Sequence, residues 1–304
     1  MPISQREKQA AVLLALTMFC YAANHVIGRA VHSELPPLGL SFWRWTTGAV
    51  ILLPFVAADL GRLLPRYRRH WRLFSLLGLL MVGSTSLVLV GLNFTTATNT
   101  SLINATQPTI TALLCWMFLA DRLSASQWCG ITIAFAGVAQ IILRADWQVL
   151  SSLSFNRGDL IVLLAMFGFA SYAINIRRIP DEYTPAQSLF AVIIFGIVPL
   201  LPLYLAETTM YMAVPLSWHT AGIVTTLSLL VSVLGMLMWT RGNQLLGPNH
   251  AAVYMNLLPL FGAILAVLFL GEAIAAHHLV GALLICGGMW LVLRKKTLEN
   301  QSRD

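Results

Sequence analysis

Ten stretches of roughly 20 mostly apolar residues follow one another along the 304-residue chain, and each is long enough to cross a bilayer. They run approximately over Ala10–Arg29, Leu38–Ala58, Trp71–Leu92, Thr98–Leu119 and Gln127–Leu143, then Asp159–Ile176, Pro185–Ala206, Trp218–Arg241, Asn249–Leu270 and His277–Leu293. No water meets a backbone N–H or C=O inside hydrocarbon, so each run is expected to satisfy its own backbone as a helix. Composition agrees. The chain is 58% hydrophobic and only 10% charged, where soluble domains hold about 45–50% and about 25%. That balance excludes a soluble enzyme, a disordered regulator and a nucleic-acid reader. Ten helices take up about two thirds of the length, which leaves no room for a soluble catalytic or nucleotide-binding domain.

The formal charge of +7 and the pI near 9.6 fit the Lys and Arg excess of cytoplasmic loops better than a nucleic-acid footprint. With both tails on one side, that side collects fifteen of the 19 basic residues, among them Arg66, Arg68, Arg69, Arg122, Arg177, Arg178 and Arg294. The opposite side holds Arg29, Arg144 and Arg157, and Arg44 lies within a run. The asymmetry predicts a multi-pass protein of the bacterial inner membrane with both termini cytoplasmic. Arg6 and Lys8 precede a first run long enough to span, read as a retained helix rather than a cleaved leader. Cys20, Cys115, Cys129 and Cys286 all fall in apolar stretches without a Cys-x-x-Cys pair and are expected to pack as small hydrophobes.

The chain is also self-similar. At an offset of 148, Met18, Phe19, Arg29, Pro37, Phe42, Gly48, Pro54 and Ala58 match Met166, Phe167, Arg177, Pro185, Phe190, Gly196, Pro202 and Ala206. At 151, Gly91, Pro108, Ala112, Phe118, Gly130 and Gly137 match Gly242, Pro259, Ala263, Phe269, Gly281 and Gly288. Coincident prolines and glycines carry the weight. They divide the chain into two repeats, 1–145 and 146–304, of five helices each. Five is odd, so the second repeat enters from the opposite side. The expected fold is an all-α integral membrane protein of ten transmembrane helices in two inverted five-helix repeats. Many secondary transporters are built so, with the substrate site near the midplane.

The segments Asn104-Ala-Thr-Gln-Pro108 through Asp121 to Gly137, and Asn256-Leu-Leu-Pro259 through Glu272 to Gly288, resemble the drug/metabolite transporter superfamily, specifically its ten-helix EamA-type members. Arg44 in the second run also matches that pattern, and the similarity covers nearly the whole chain. One departure is Asp121, where the family usually places Glu. The resemblance implies alternating access through a central cavity and export of small metabolites, amino acids first, as in the YddG-type exporters. It leaves open nucleosides, drugs and other metabolites, in either direction. From another class, a membrane-embedded enzyme would need a clustered acid, base or nucleophile at one depth, and a passive channel would lack saturation and counterflow.

Pro108 and Pro259 occupy matching mid-run positions. Each removes a backbone hydrogen bond, which makes the pair candidate hinges or bent cavity walls. Asn24, Ser84, Asn104, Gln107, Phe169, Tyr172, Tyr254 and Asn256 are the candidate cavity residues, because an amphiphilic zwitterion needs amide and hydroxyl partners beside aromatic surface. Helix-to-helix glue is the plainer role for each singly. Arg44 lies seven residues past Pro37, so about 10 Å from the end of its helix. Its stem is long enough to snorkel outward, and a contact with a substrate carboxylate is the alternative. Gly130, Ala134 and Gly137, with Gly281 and Gly288, form small faces for close helix approach, with a weak homodimer contact as a further use beside the monomer. His277 and His278 lie too near a loop to suggest a metal, and no cofactor is expected. The sequence lacks a G-x-x-x-x-G-K-[ST] phosphate loop, so ATP hydrolysis is not expected. All twelve acids fall in tails, loops or helix ends. With no buried carboxylate expected as a relay, transport is expected to run down the cargo's own gradient.

Overall fold

The computed structural model describes residues 5–119, 123–143, 156–246 and 254–301, and every regular element among them is helical. The first pass is α1 (Gln5–Ala30). The second is α2 (Pro37–Val56), which runs through a 3-10 turn at Ala57–Asp59 into the short α3 (Leu60–Arg69). The third is α4 (Trp71–Gly91), the fourth is split into α5 (Ala97–Asn104) and α6 (Gln107–Leu119), and the fifth is α7 (Ala125–Leu143). The sixth and seventh are α8 (Arg157–Asn175) and α9 (Pro185–Met210). The eighth holds α10 (Trp218–Leu227), a π-helical stretch (Ser228–Gly235) and α11 (Met236–Leu246). A 3-10 turn (Tyr254–Asn256) leads into α12 (Leu257–Leu270) in the ninth pass, and α13 (Ala276–Gln301) is the tenth. Six of these runs are individually long and apolar enough to cross a membrane.

Local signals set the starts. Pro37 and Pro185 open α2 and α9 at the position where a missing N–H does no harm. Thr184 and Gln187 form a reciprocal capping box on α9, at 3.3 and 3.0 Å. The Thr96 and Ser217 hydroxyls accept from Asn99 N (3.1 Å) and Thr220 N (3.0 Å) at the starts of α5 and α10. Gly271, at φ 64°, terminates α12 in the left-handed conformation.

The fourth, eighth and ninth passes depart from continuous helices. Two of these breaks lie just before a proline, since Pro108 and Pro259 are the second and third residues of α6 and α12. Proline lacks the N–H that would continue the ladder backward, and the preceding turn tightens instead. In the fourth pass Ala105 and Thr106 close 3-10-type bonds onto Leu102 and Ile103, at 3.2 and 3.0 Å.

The principal packings are α7 on α13, α9 on α2, and α5 on α12, together with paired sets. The α4–α8 contact has its counterpart in α1 against the eighth pass, α4–α9 in α2 against the eighth pass, and α6–α8 in α1–α12. Exchanging each pass with the one five later maps these packings onto themselves. Glycines set the closest approaches: a Cβ on Gly130 would lie 2.6 Å from the Gly288 carbonyl oxygen, and one on Gly137 would lie 2.9 Å from that of Gly281. Both sites accept only hydrogen, which lets α7 and α13 meet backbone to backbone. Outward-facing Phe55, Phe118, Leu268, Phe269 and Leu283 are more than 70% exposed, as lipid contact requires. Trp218 at the start of α10 fits an interfacial belt. Cys129, expected in the packing, is exposed.

Adjacent glycines give a contained test. A Cβ on Gly288 would lie 2.5 Å from Gly130 O, whereas one on Gly287 meets nothing within 4 Å. Gly288→Val is expected to destabilise the protein by about 1–3 kcal/mol, read as a lower Tm in detergent, while Gly287→Val leaves stability within about 0.5 kcal/mol of the parent.

Candidate functional site

Two kinds of polar structure are built into the apolar bundle, one at the helix ends and one in its middle. At the ends, carboxylates answer the free amides of neighbouring helices. Glu207, late in α9, accepts from Leu38 N (3.2 Å) and Gly39 N (2.7 Å) at the start of α2. Glu272, just past α12, accepts from Ala97 N (2.8 Å), Thr98 N (3.0 Å) and the Thr98 hydroxyl (2.7 Å) at the start of α5. Asp59 accepts from the Gln187 amide at 3.2 Å, beside the start of α9. Helix N-termini carry unpaired N–H groups and a positive dipole end, so an acid there serves both needs. Asp121, the first-half counterpart of Glu272, lies outside the described residues.

One carboxylate contradicts the expectation that no acid is buried. Asp159, in the first turn of α8, is fully buried; Thr95 Oγ1 donates to it at 2.5 Å and Asn99 Nδ2 at 3.1 Å. Its place near a helix end suggests solvent, but the 92–96 turn and α5 cover it. Arg29 Nη1 donates to the Leu92 carbonyl at 2.8 Å in the same turn.

A second latch joins the 60–70 and 179–187 segments. Arg66 pairs with Glu182 at 3.6 Å, Tyr67 donates to the Gln187 carbonyl at 2.9 Å, and His70 Nδ1 bonds the Tyr183 hydroxyl at 2.9 Å. Burial first, and then Glu182, push the Tyr183 phenol above its ordinary value, with Arg66 and Arg69 opposing.

In the middle, α1 gathers the polar groups. Arg44 does not snorkel. It is 1% exposed, and its Nη1 donates to Asn24 Oδ1 at 2.8 Å. The guanidinium lies 5.0 Å from the Trp45 ring, and the Arg44 carbonyl accepts from Ser228 Oγ at 2.8 Å, in the π-helical stretch. One residue beyond Asn24, His25 is 2% exposed, with Nδ1 2.9 Å from Ser101 Oγ and Nε2 3.4 Å from Asn104 Nδ2.

The candidate residues divide accordingly. Asn24 and Arg44 are joined directly, and Asn104 is joined to His25, which the sequence reading missed. Asn104 and Gln107 are half-buried at the break in the fourth pass; Tyr254 and Asn256 are half-buried in the turn before α12, which packs on α1. Phe169 and Tyr172 on α8 are also half-buried, as are Tyr21, whose hydroxyl lies 3.2 Å from Met236 Sδ, and Trp239. Ser84 is 3% exposed and lies against Gly168 of α8. Pro108 and Pro259 stand at the two breaks. His25 had no repeat partner to mark it, since offset 148 leads to Ala173. Glu207 did, since the same offset leads from Asp59.

The sequence matches the EamA-like transporter family over residues 8–143 and again over 156–294. The chain belongs to the EamA-like transporter family. It is therefore a multi-pass membrane transporter and not an enzyme. The uncharacterised transporter YyaM of Bacillus subtilis is 27% identical to it, with 91% of each chain covered. A probable terminal-alkyne amino-acid exporter of Streptantibioticus cattleyicolor is 26% identical, covering 94% of each. A probable amino-acid metabolite efflux pump of Salmonella typhimurium is also 26% identical, covering 92% of this chain and 93% of its own. A solved crystal structure shares the fold, with a TM-score of 0.60 at 17% identity, covering 95% of this transporter and 98% of that chain.

The Glu272 cap holds the start of the broken fourth pass. Glu272→Ala leaves three donors without their acceptor and is expected to lower stability by about 1–3 kcal/mol, read as Tm in detergent. Glu272→Gln, which keeps an acceptor oxygen, is expected to recover part of the loss.

Proposed function

We propose that this transporter exports amino acids from the cytoplasm by alternating access between two repeats, 1–145 and 146–304, that run in opposite directions through the membrane. The observation that carries the reading is the pair of broken passes. Their irregular turns bring amides (Asn104, Gln107, Asn256) and a phenol (Tyr254) to the seam where α1 meets α5 and α12, with Phe169, Tyr172 and Trp239 supplying aromatic surface. Irregular backbone at membrane depth is tolerated where it is buried in protein or lines a cavity, and discontinuous helices form many transporter sites. Amides match the ammonium and carboxylate of an amino acid, and the aromatic rings match its side chain. The relatives named as a probable terminal-alkyne amino-acid exporter and a probable amino-acid metabolite efflux pump support the same cargo class.

Inversion supplies the mechanism. If two like halves run antiparallel, exchanging their conformations turns an outward opening into an inward one at equal energy. The exchange symmetry of the packings and the matched glycine and proline positions support that reading. The fifteen-to-three distribution of Lys and Arg supports cytoplasmic termini. Pro108 and Pro259 are the hinges in this scheme, and the transporter works as a monomer or weak homodimer.

Counterflow tests the function. Proteoliposomes preloaded with one unlabelled amino acid are expected to accumulate the same radiolabelled amino acid transiently and saturably. A linear, non-saturating flux would identify a channel instead. In the same assay, Pro108→Ala with Pro259→Ala is expected to slow exchange roughly tenfold, or about 1.4 kcal/mol on the conformational step. An unchanged rate in the folded double variant contradicts the hinge.

A further inference from the structure

Among the described residues, Arg44 is the one charged side chain with buried nitrogens that lack a hydrogen-bond partner: Nε and Nη2 are both unpaired. These two nitrogens are not an arbitrary pair. In a planar guanidinium Nε–H and one Nη2–H point the same way along one edge, at the spacing of two carboxylate oxygens, while Nη1 faces elsewhere. Here Nη1 is engaged by Asn24, and the edge that forks onto a carboxylate is the one left over.

We propose that this edge of Arg44 receives the carboxylate of the cargo, so that α2 carries the anion subsite of the transport pathway. The proposal rests on the export reading and narrows it to substrates bearing a carboxylate. Three observations argue for a ligand rather than a structural ion. The guanidinium is 1% exposed, so neither solvent nor a lipid headgroup satisfies it. The described acids nearest in function are occupied, with Asp59 on Gln187, Glu207 on the α2 amides and Glu272 on the α5 amides. The group is also held in place: its Cζ lies over the Trp45 ring at 5.0 Å, Trp45 Nε1 donates to Thr85 Oγ1 at 3.0 Å, and Asn24 fixes one corner. A buried charge without a partner is strongly unfavourable, and the arriving carboxylate relieves that penalty.

The π-helical stretch Ser228–Gly235 packs on α2 and is tied to the Arg44 main-chain carbonyl through Ser228 Oγ. Ser232 in that stretch is 1% exposed, with an unpartnered hydroxyl, and packs near Gly48, one turn from Arg44. π-Helical segments recur at functional sites and have looser ladders than α-helices. In this scheme cargo reaches the edge when the stretch moves away from α2.

The test separates the subsite from the export reading by using binding as well as transport. Thermal unfolding of the purified transporter is measured with acetate, isocaproate and hydrocinnamate (carboxylates without an amine) and with methylamine, isoamylamine and phenethylamine (the matching amines without a carboxylate). At least one carboxylate is expected to raise Tm in the parent and its amine counterpart not to; Arg44→Gln and Arg44→Lys are expected to abolish the shift. Failure of every carboxylate to raise Tm in the parent, or a shift that survives Arg44→Gln, overturns the proposal. Should Arg44→Gln not fold, Asn24→Ala, which loosens the corner while keeping the charge, is expected to weaken the shift. An undiminished shift in that variant counts against the geometry. In counterflow, Arg44→Lys is expected to raise KM for the transported amino acid roughly 10- to 100-fold. Absence of amino-acid counterflow in the parent, with the carboxylate shift intact, would sink the export reading and leave the subsite standing.

Discussion

A helix that starts inside a bundle leaves its first amides without partners, and this chain answers them with acids from other passes. Glu207 reaches the start of α2, Glu272 the start of α5, and Asp59 the Gln187 side chain in the first turn of α9. Each contact spans a long stretch of sequence, so each pins one pass to a distant one. In a low-dielectric surround a charge-assisted bond of this kind is strong, and its loss exposes both a carboxylate and two amides. The rest of the fold hangs on these ties. They fix the ends of the helices, and the small faces of α7 and α13 bring that pair into backbone contact.

The centre is treated differently. There the ladders are interrupted before Pro108 and Pro259, the eighth pass loosens into a π-helix, and Arg44 keeps two donors unpaired. His25 bridges α1 to the fourth pass, with Nδ1 2.9 Å from Ser101 Oγ and a longer contact of 3.4 Å to Asn104 at the break. Tied ends and an unsatisfied middle are what a protein needs if its halves are to rock about a site without coming apart.

Much of the architecture was legible because lipid makes it so. Runs of apolar residues report helices directly when no other backbone solution exists, and the prolines and glycines that match across the halves marked both the breaks and the closest helix contacts. The close approaches Gly130–Gly288 and Gly137–Gly281 follow from the matched positions, each glycine meeting the partner of the other. The caps were half legible. The offset that aligns Ala58 with Ala206 also aligns Asp59 with Glu207, and only the partner helix was hidden. What hydropathy does not carry is the direction a side chain takes. Asp159 reads as a loop-proximal acid yet is sealed by Thr95 and Asn99, and Arg44 reads as a snorkelling cation yet turns inward to Asn24. His25 has no echo in the second half, so nothing in the repeat singled it out. Lipid-facing and seam-facing residues are equally apolar, which is why the cavity set was found by residue type and not by position.

The central claim is that two like sets of five helices pass through the membrane in opposite senses, and impermeant thiol labelling tests it most directly. In a chain freed of Cys20, Cys115, Cys129 and Cys286, single cysteines are placed at Glu34, Arg62, Glu182, Pro215 and each terminus and labelled from outside intact cells. The account expects labelling at positions 34 and 215 only, with 62, 182 and both termini reacting after the membrane is opened. Termini on opposite faces, or outside labelling at 62, would contradict it.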